Sequence, residues 1–388
     1  MARPRSCSCS RFQSLIRPTF WLALALGLGT HAAPSLSDTW RFGYPVAVGA
    51  GYNDNVNLSV DDPQASAKLS LVPRVLAKRE TERSTFDLDL AVRFEFYSNS
   101  DAAQDRDDPS LTAAYQYEFE RSSVGLAGSA SRQSTRVSEF EDTGRVNLDA
   151  SRDELGLDAF WHYQLDDLTL IITEGTVRDV SYTTDQLTNF SSHGANVQVL
   201  REVSPRLGVF GGLDALFFNP EGEDTVNSES YALRAGGAYQ ISENLGVTLS
   251  IGEFLVQRQG LGSENDWLGR IELNYAGYRT RFRAGAERSV DPSSAGQLRT
   301  RDTVQLGLNR DLTERHSVGV SARWLNSQSV SAEGSIQGFE LEPWISWQAA
   351  QSIEVRGTYT FRSQDRSGEP ETAESNAFLE EMRYSPQI

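Results

Sequence analysis

The feature that most constrains the fold of this chain is a strict two-residue period. It is clearest over residues 86–96, where Phe86, Leu88, Leu90, Val92, Phe94 and Phe96 hold every second position. Asp87, Asp89, Arg93 and Glu95 fill the gaps, with Ala91 among them. Successive side chains of a β-strand point to opposite faces, so this segment has one apolar face and one charged face. A helix of the same sequence would spread the charges around its circumference.

Similar segments recur. Ala113, Tyr115, Tyr117 and Phe119 alternate with Ala114, Gln116, Glu118 and Glu120, and Leu155, Leu157, Ala159, Trp161 and Tyr163 with Gly156, Asp158, Phe160 and His162. Tyr231, Leu233, Ala235 and Tyr239 enclose Arg234; Trp267, Ile271, Leu273 and Tyr275 enclose Arg270 and Glu272. Val318, Val320, Ala322 and Trp324 follow, then Phe339, Leu341, Pro343, Ile345 and Trp347, and then Ile353, Val355, Tyr359 and Phe361. Many of these segments begin or end in an aromatic residue, as strands do that place Trp, Tyr and Phe at the two interfaces of a membrane. The stretches 133–150 and 168–180 alternate poorly.

Connections alternate in length. Short ones fall near 78–83, 121–122, 166–167, 204–205, 242–244, 276–277, 313–315 and 351–352. Longer polar ones fall near 60–65, 98–109, 133–150, 182–190, 219–229, 259–265, 291–298, 329–335 and 364–374. Short periplasmic turns with longer outer loops are the pattern of an outer-membrane barrel. The expected fold is all-β, a transmembrane antiparallel up-and-down β-barrel of about 18 strands, with 16 as the alternative, at about eleven residues per crossing. A soluble sandwich array or propeller would show a repeat length or domain boundaries, and the texture of the chain is uniform.

The N-terminal 32 residues read as an address rather than as part of the fold. Arg3, Arg5, Arg11 and Arg17 precede an apolar run from Phe20 to Leu28, and small residues at Thr30 and Ala32 suit cleavage after Ala32. Such a run is too short to span a bilayer as a helix. Residues 33–44 are expected to be a short periplasmic segment and 45–388 the barrel. Cys7 and Cys9 lie within the leader, so disulfides and thiolate metal sites are excluded from the mature chain. Without the four leader arginines, 32 basic residues face 53 acidic ones, a net charge of −21. Nucleic acid is excluded as a partner on that balance.

One face of the strands carries the expected function. Asp87, Asp89, Arg93, Glu95, Glu118, Glu120, Arg234, Arg270, Glu272, Arg281, Arg283, Arg323, Glu340, Glu342, Glu354, Arg356 and Arg362 alternate with the apolar face. Burying so many charges dry would cost far too much, so they are expected to line a wet lumen. Arginines gather on the later strands and carboxylates on the earlier ones, which predicts opposite charge on opposing walls. No cofactor is expected and no catalytic constellation is present: the sequence lacks Gly-x-Ser-x-Gly, His-Glu-x-x-His, a calcium loop and a phosphate loop. His162 is expected to be a solvated lumen residue, and His316 to be exposed after a turn. Loop acids at Asp101, Asp105, Asp107 and Asp108, at Glu221, Glu223 and Asp224, and at Asp365, Glu369, Glu371 and Glu374 read as solubilising groups, with divalent-cation binding as the alternative.

Short motifs at both ends carry a likeness. Gly51-Tyr52-Asn53-Asp54-Asn55-Val56-Asn57-Leu58, then Leu71-Val72-Pro73 and Glu80-Thr81-Glu82-Arg83, and finally Glu374-Ser375-Asn376-Ala377-Phe378-Leu379 through Arg383-Tyr384 stand out. Together they resemble bacterial outer-membrane barrels encoded beside exopolysaccharide and exosortase (PEP-CTERM) gene clusters. The resemblance implies a role in surface-polymer biology. Partners expected on this reading are outer-membrane lipids and lipopolysaccharide, the barrel assembly machinery and polysaccharide export components. Two features depart from the usual barrel ending: the chain closes on Ser385, Pro386, Gln387 and Ile388 rather than an aromatic residue, and Glu380 falls in register with Phe378, Met382 and Tyr384. The expected function is a channel with a charged aqueous lumen, passing polysaccharide or small hydrophilic solutes. The alternative is a plugged structural or adhesion barrel that anchors polymer or a partner.

Overall fold

The computed structural model describes residues 40–142, 149–222, 225–260, 262–329, 335–367 and 371–386. The expected leader and residues 33–39 lie outside them. The elements are β1 (Trp40–Gly43), β2 (Val46–Asn53), β3 (Ser66–Glu80), β4 (Ser84–Tyr97), β5 (Arg106–Glu118), β6 (Ser122–Ser134), α1 (Thr135–Asp142), β7 (Ser151–Asp166), β8 (Thr169–Tyr182), β9 (Phe190–Ser204) and β10 (Leu207–Pro220). They continue with β11 (Ser228–Ser242), β12 (Leu245–Arg258), β13 (Gly262–Ala276), β14 (Thr280–Ser293), β15 (Gln297–Asp311), β16 (His316–Ser329), β17 (Ser335–Ala350), β18 (Ile353–Arg366) and β19 (Ala373–Tyr384). Each strand from β2 onward pairs antiparallel with the next, and β19 pairs with β2, closing a ring of 18 strands. This is the larger of the two expected counts.

The first wall strand is interrupted. Both β1 and β2 lie along β3, Trp40 opposite Arg79 and Val46 opposite Pro73. The break falls at Tyr44 and Pro45, because a proline has no N–H to give to the ladder. Its carbonyl still accepts from Arg74 N at 2.9 Å. The paired wall therefore starts at Trp40, inside the stretch expected to be a periplasmic segment.

The alternation sorts the two faces as the physics of strands requires. Phe86 to Phe96 in even positions share a face with Tyr115 and Tyr117, which stand directly opposite Phe86 and Ser84. Around the ring this face exposes Leu69, Leu126, Leu155, Leu213, Leu233, Ile251, Ile271, Leu306, Ile345 and Met382. Tyr384, Trp347, Tyr275, Tyr239 and Trp161 mark its end near the short turns. Phe378, Trp267, Tyr231, Phe217 and Phe96 mark its end near the loops. An apolar exterior between two aromatic girdles is the surface that meets lipid.

Two places depart from the simple pattern. In β8, Leu170, Ile172, Val180 and Tyr182 share the inward face with Arg178 by their pairing with β7, so apolar residues stand on both faces and the period-two signal fades. In β19 the register runs unbroken from Ala373 to Tyr384. Glu380 therefore does stand on the lipid face, between Ala50 and Gly357, without the bulge that would have turned it inward.

The two ends of the chain meet at the closing seam. Asp54 N donates to Asn376 O at 3.1 Å, and the Asp54 carboxylate accepts from Asn376 N at 2.7 Å and from Asn376 Nδ2 at 2.8 Å. Ser375 Oγ donates to Asn53 Oδ1 at 2.8 Å, and Asn55 Nδ2 donates to Glu374 O at 2.8 Å. The terminal motifs singled out in the sequence are thus one structure, a polar latch across β2 and β19.

Candidate functional site: the lumen and its loop-end constriction

By strand register, Asp87, Asp89, Arg93, Glu95, Glu118, Arg234, Arg270, Glu272, Arg281, Arg283, Arg323, Glu340, Glu342, Glu354 and Arg356 all stand on the inward face. Many of these charges are paired locally. Lys68 Nζ lies 3.0 Å from Glu95, Arg74 Nε 3.3 Å from Asp89, Arg234 3.1 Å from Asp214 and Arg281 3.8 Å from Asp311. Glu272 receives Arg270 at 2.7 Å and Arg283 at 3.8 Å; Glu340 receives Arg323 at 3.3 Å and Arg362 at 2.6 Å. Opposite charges therefore alternate along one wall, which corrects the expectation of opposed acidic and basic walls: partners on adjacent strands cancel most of each other's field across the pore. Lys68, Arg74, Asp214 and Asp311 complete these pairs, and Arg178 pairs with Asp158 at 2.7 Å on the same face. They obey the same alternation and were legible by it.

Aromatic side chains also face inward. Trp344 lies over Gly319, where an added Cβ would stand 2.5 Å from the ring, and the Arg356 guanidinium stacks 4.2 Å from the ring centre. Phe160 covers Gly125 and stacks on His162 with ring centres 4.7 Å apart, so His162 packs against an aromatic ring. His316 hydrogen-bonds Thr313 within its turn. A wall recess of about 360 Å³ opens among Arg283, Gln305, Ser321, Arg323, Glu340 and Glu342.

Near the loops the lumen is filled from two sides. The segment after β6, which alternated poorly, forms α1 and crosses the mouth. Phe140 is 1 % exposed, packed with Leu58 and Ala373, and lies under the Arg362 guanidinium at 5.1 Å. A Cβ on Gly338 of β17 would touch Leu325 at 3.3 Å and Phe140 at 3.5 Å. Arg136 stacks 5.4 Å from Tyr97, reaches Asp149 at 3.1 Å and donates to Ala102 O at 3.4 Å. Glu139 accepts a hydrogen bond from Ser294, in the turn between β14 and β15. That turn is eight strand positions from α1, almost opposite it in the ring.

The second filling comes from the β14–β15 hairpin itself. Thr188 N, six strand positions away, donates to Ser294 O at 2.8 Å; at about 4.8 Å per strand the two are roughly 30 Å apart along the wall. Only a tip that leaves the wall and bends across the lumen can make that bond. Leu298 and Val290 on the bent hairpin pack against Val180, Phe190, Phe218, Phe254 and Val256. This inward apolar cluster was missed in the sequence; of the poorly alternating stretch 168–180, Val180 belongs to it.

The bend has a counterpart in the wall. The β13–β14 ladder runs only from Gly269↔Arg288 to Ala276↔Arg281, while β13 continues to Gly262 on β12 and β14 to Ser293 on β15. Beyond Gly269, side chains bridge the two strands. Arg288 reaches Asp266 at 2.6 Å across the gap and Asp302 at 3.6 Å on its own side, and stacks 4.9 Å from the Trp267 ring centre.

Several of the loop acids are occupied by structure. Asp105 accepts from Tyr97 N at 2.8 Å, Asp108 pairs with Arg106 at 2.7 Å, and Asp365 accepts from Thr372. Among the described residues no group of three or more His, Cys, Asp or Glu side chains is arranged to hold a metal ion; Glu223, Asp224 and Glu369 lie outside them.

No family model matches the chain and no curated protein matches it. Solved structures do. OpdO from Pseudomonas aeruginosa superposes with a TM-score of 0.50 at 11% identity, covering 90% of this chain and 97% of that one. OccAB4 from Acinetobacter baumannii gives 0.49 at 10% identity, over 92% and 100% of the two chains. The siderophore receptor PirA from Pseudomonas aeruginosa gives 0.47 at 10% identity, over 90% and 81%. At such identity the likeness concerns the fold. The closed ring of 18 strands with an apolar exterior between two aromatic girdles is what marks the protein as an outer-membrane β-barrel.

Proposed function

We propose that the protein is an outer-membrane channel that passes hydrophilic solutes through a charged, hydrated lumen and is constricted at its loop end by α1 and the β14–β15 tip. The observation that carries this reading is the inward face. Its carboxylates and guanidinium groups form pairs that remain partly exposed, such as Arg283, 68% exposed beside Glu272. Charges held in that state need water around them, and barrels of this strand number are wide enough to hold it.

Passage or export of a polysaccharide is the finer form of the reading. It rests on the resemblance of the terminal motifs to barrels found beside exopolysaccharide clusters. The partly exposed Trp344 and Phe160 rings support it, since flat apolar faces suit the faces of sugar rings. Purified barrel in planar bilayers tests the channel: discrete conductance steps are expected, and a folded, heat-modifiable protein that never conducts would reject it in favour of the plugged anchoring barrel. Liposome swelling in sugars of increasing size then tests the polymer reading, for which swelling should persist to oligosaccharides.

A further inference from the structure

The same bend that fills the loop end of the lumen removes the β14 edge from β13. Narrowing the axial path and interrupting the wall are therefore one structural event. The interruption begins level with Trp267 and Arg288, at the girdle near the loops, where the hydrocarbon ends and lipid headgroups begin. An unpaired strand edge is excluded from hydrocarbon by the cost of its bare N–H and C=O groups, and at this height headgroups and water can satisfy it.

The lining of the interruption is two-natured. On its inner side Leu268 of β13 and Val290 of β14 join the apolar cluster of Phe218, Phe254 and Leu298. On its outer side Trp267 is exposed to the membrane. Between them the Arg288 guanidinium spans from Asp266 to Asp302. Below, the lumen wall is lined by ion pairs, hospitable to a charged group. A molecule that moved from lumen to membrane here would keep its polar part among paired charges and lay its apolar part against Trp267 and Leu268.

We propose that the β13–β14 interruption is a lateral gate, through which an amphipathic molecule passes between the lumen and the membrane layer on the loop side, and that Arg288 with Asp266 is its clasp. This rests on the channel reading for the lumen it opens into. The gate differs from an axial pore in what it carries: a solute with a hydrocarbon tail leaves sideways, into lipid.

The test uses the absence of cysteine after residue 9. In the Asp266→Cys/Arg288→Cys variant, a short bis-methanethiosulfonate reagent bridges two positions whose native side chains touch. Proteoliposomes carry a fluorescent zwitterionic lysophospholipid in both leaflets, and external albumin, too large for the lumen, extracts what reaches the outer leaflet. Unbridged protein should speed extraction of the inner pool at least tenfold over protein-free liposomes. Bridging should return it to the protein-free rate, reductant should restore it, and ion conductance should persist throughout. Arg288→Gln alone, a milder change, should speed extraction severalfold. Equal extraction with and without the bridge, or ion conductance without any faster extraction, overturns the gate and leaves the channel standing. Loss of conductance in folded, unbridged protein overturns the channel and, with it, the lumen the gate requires.

Discussion

Removing the Phe140 ring is the sharpest perturbation of the constriction. The ring is 1% exposed, sits against Gly338 of β17, and lies under the Arg362 guanidinium. Truncation of a buried phenylalanine costs about 3–5 kcal/mol, and the lost cation–π contact belongs within that figure. The cost falls on docking of the α1 segment, because the strand ladders of the wall do not pass through Phe140. Taking the lower end, about 3 kcal/mol moves the docked-to-undocked ratio by about two orders of magnitude. In planar bilayers Phe140→Ala should convert brief or rare openings into long ones, with single-channel steps larger than in the parent. Heat-modifiability on gels should be unchanged, since the ring of strands is intact. A variant whose dwell times and step sizes match the parent would refute the placement of α1 as the constriction.

Other consequences are open to direct measurement. Glu380→Leu should stabilise the folded barrel in vesicles by about 1 kcal/mol, read from guanidinium titration, because a carboxylate leaves the lipid face; unchanged or lower stability would count against the register of β19. Asp54→Ala removes the acceptor of two bonds from Asn376 and should destabilise the barrel by about 2–4 kcal/mol, seen as a lower temperature at which the folded gel band disappears. Arg283→Glu should shift the reversal potential toward cations at low salt, and the shift should shrink as salt rises and screens the exposed pair; salt-independent selectivity would contradict a hydrated lumen.

The wall of this protein was legible because each strand obeys one rule. Phe86 to Phe96 and their charged neighbours state which face meets lipid and which meets water, and short turns fix the antiparallel order. The rule fails where side chains answer to something other than the two solvents. Val180 faces inward, toward protein that returns into the lumen, and Leu170 and Ile172 share its face by register, so their stretch alternates poorly. The bend of β14 and β15 left no local mark, since Val290 and Leu298 are apolar for a partner far away in sequence. Nor could α1 be placed: Phe140 is a lone aromatic in a polar segment, and its meaning comes from Gly338, about two hundred residues on. The charges of the lumen were found by alternation, but their pairing depended on register between strands, which single-strand patterns do not contain.

The polar latch at the closing seam has a consequence for how the molecule is made. Asp54 and Asn376 are among the last groups able to meet, since every intervening hairpin must first take its place in the ring. While the final strand is held by anything else, the Asp54 carboxylate has no donor from it and the seam lacks its clasp. Completion of the ring and satisfaction of these side chains thus coincide, and a half-built sheet is chemically distinguishable from a finished one. The motif residues at the two ends of the chain are thus also a mark of completeness, read by the chain upon itself.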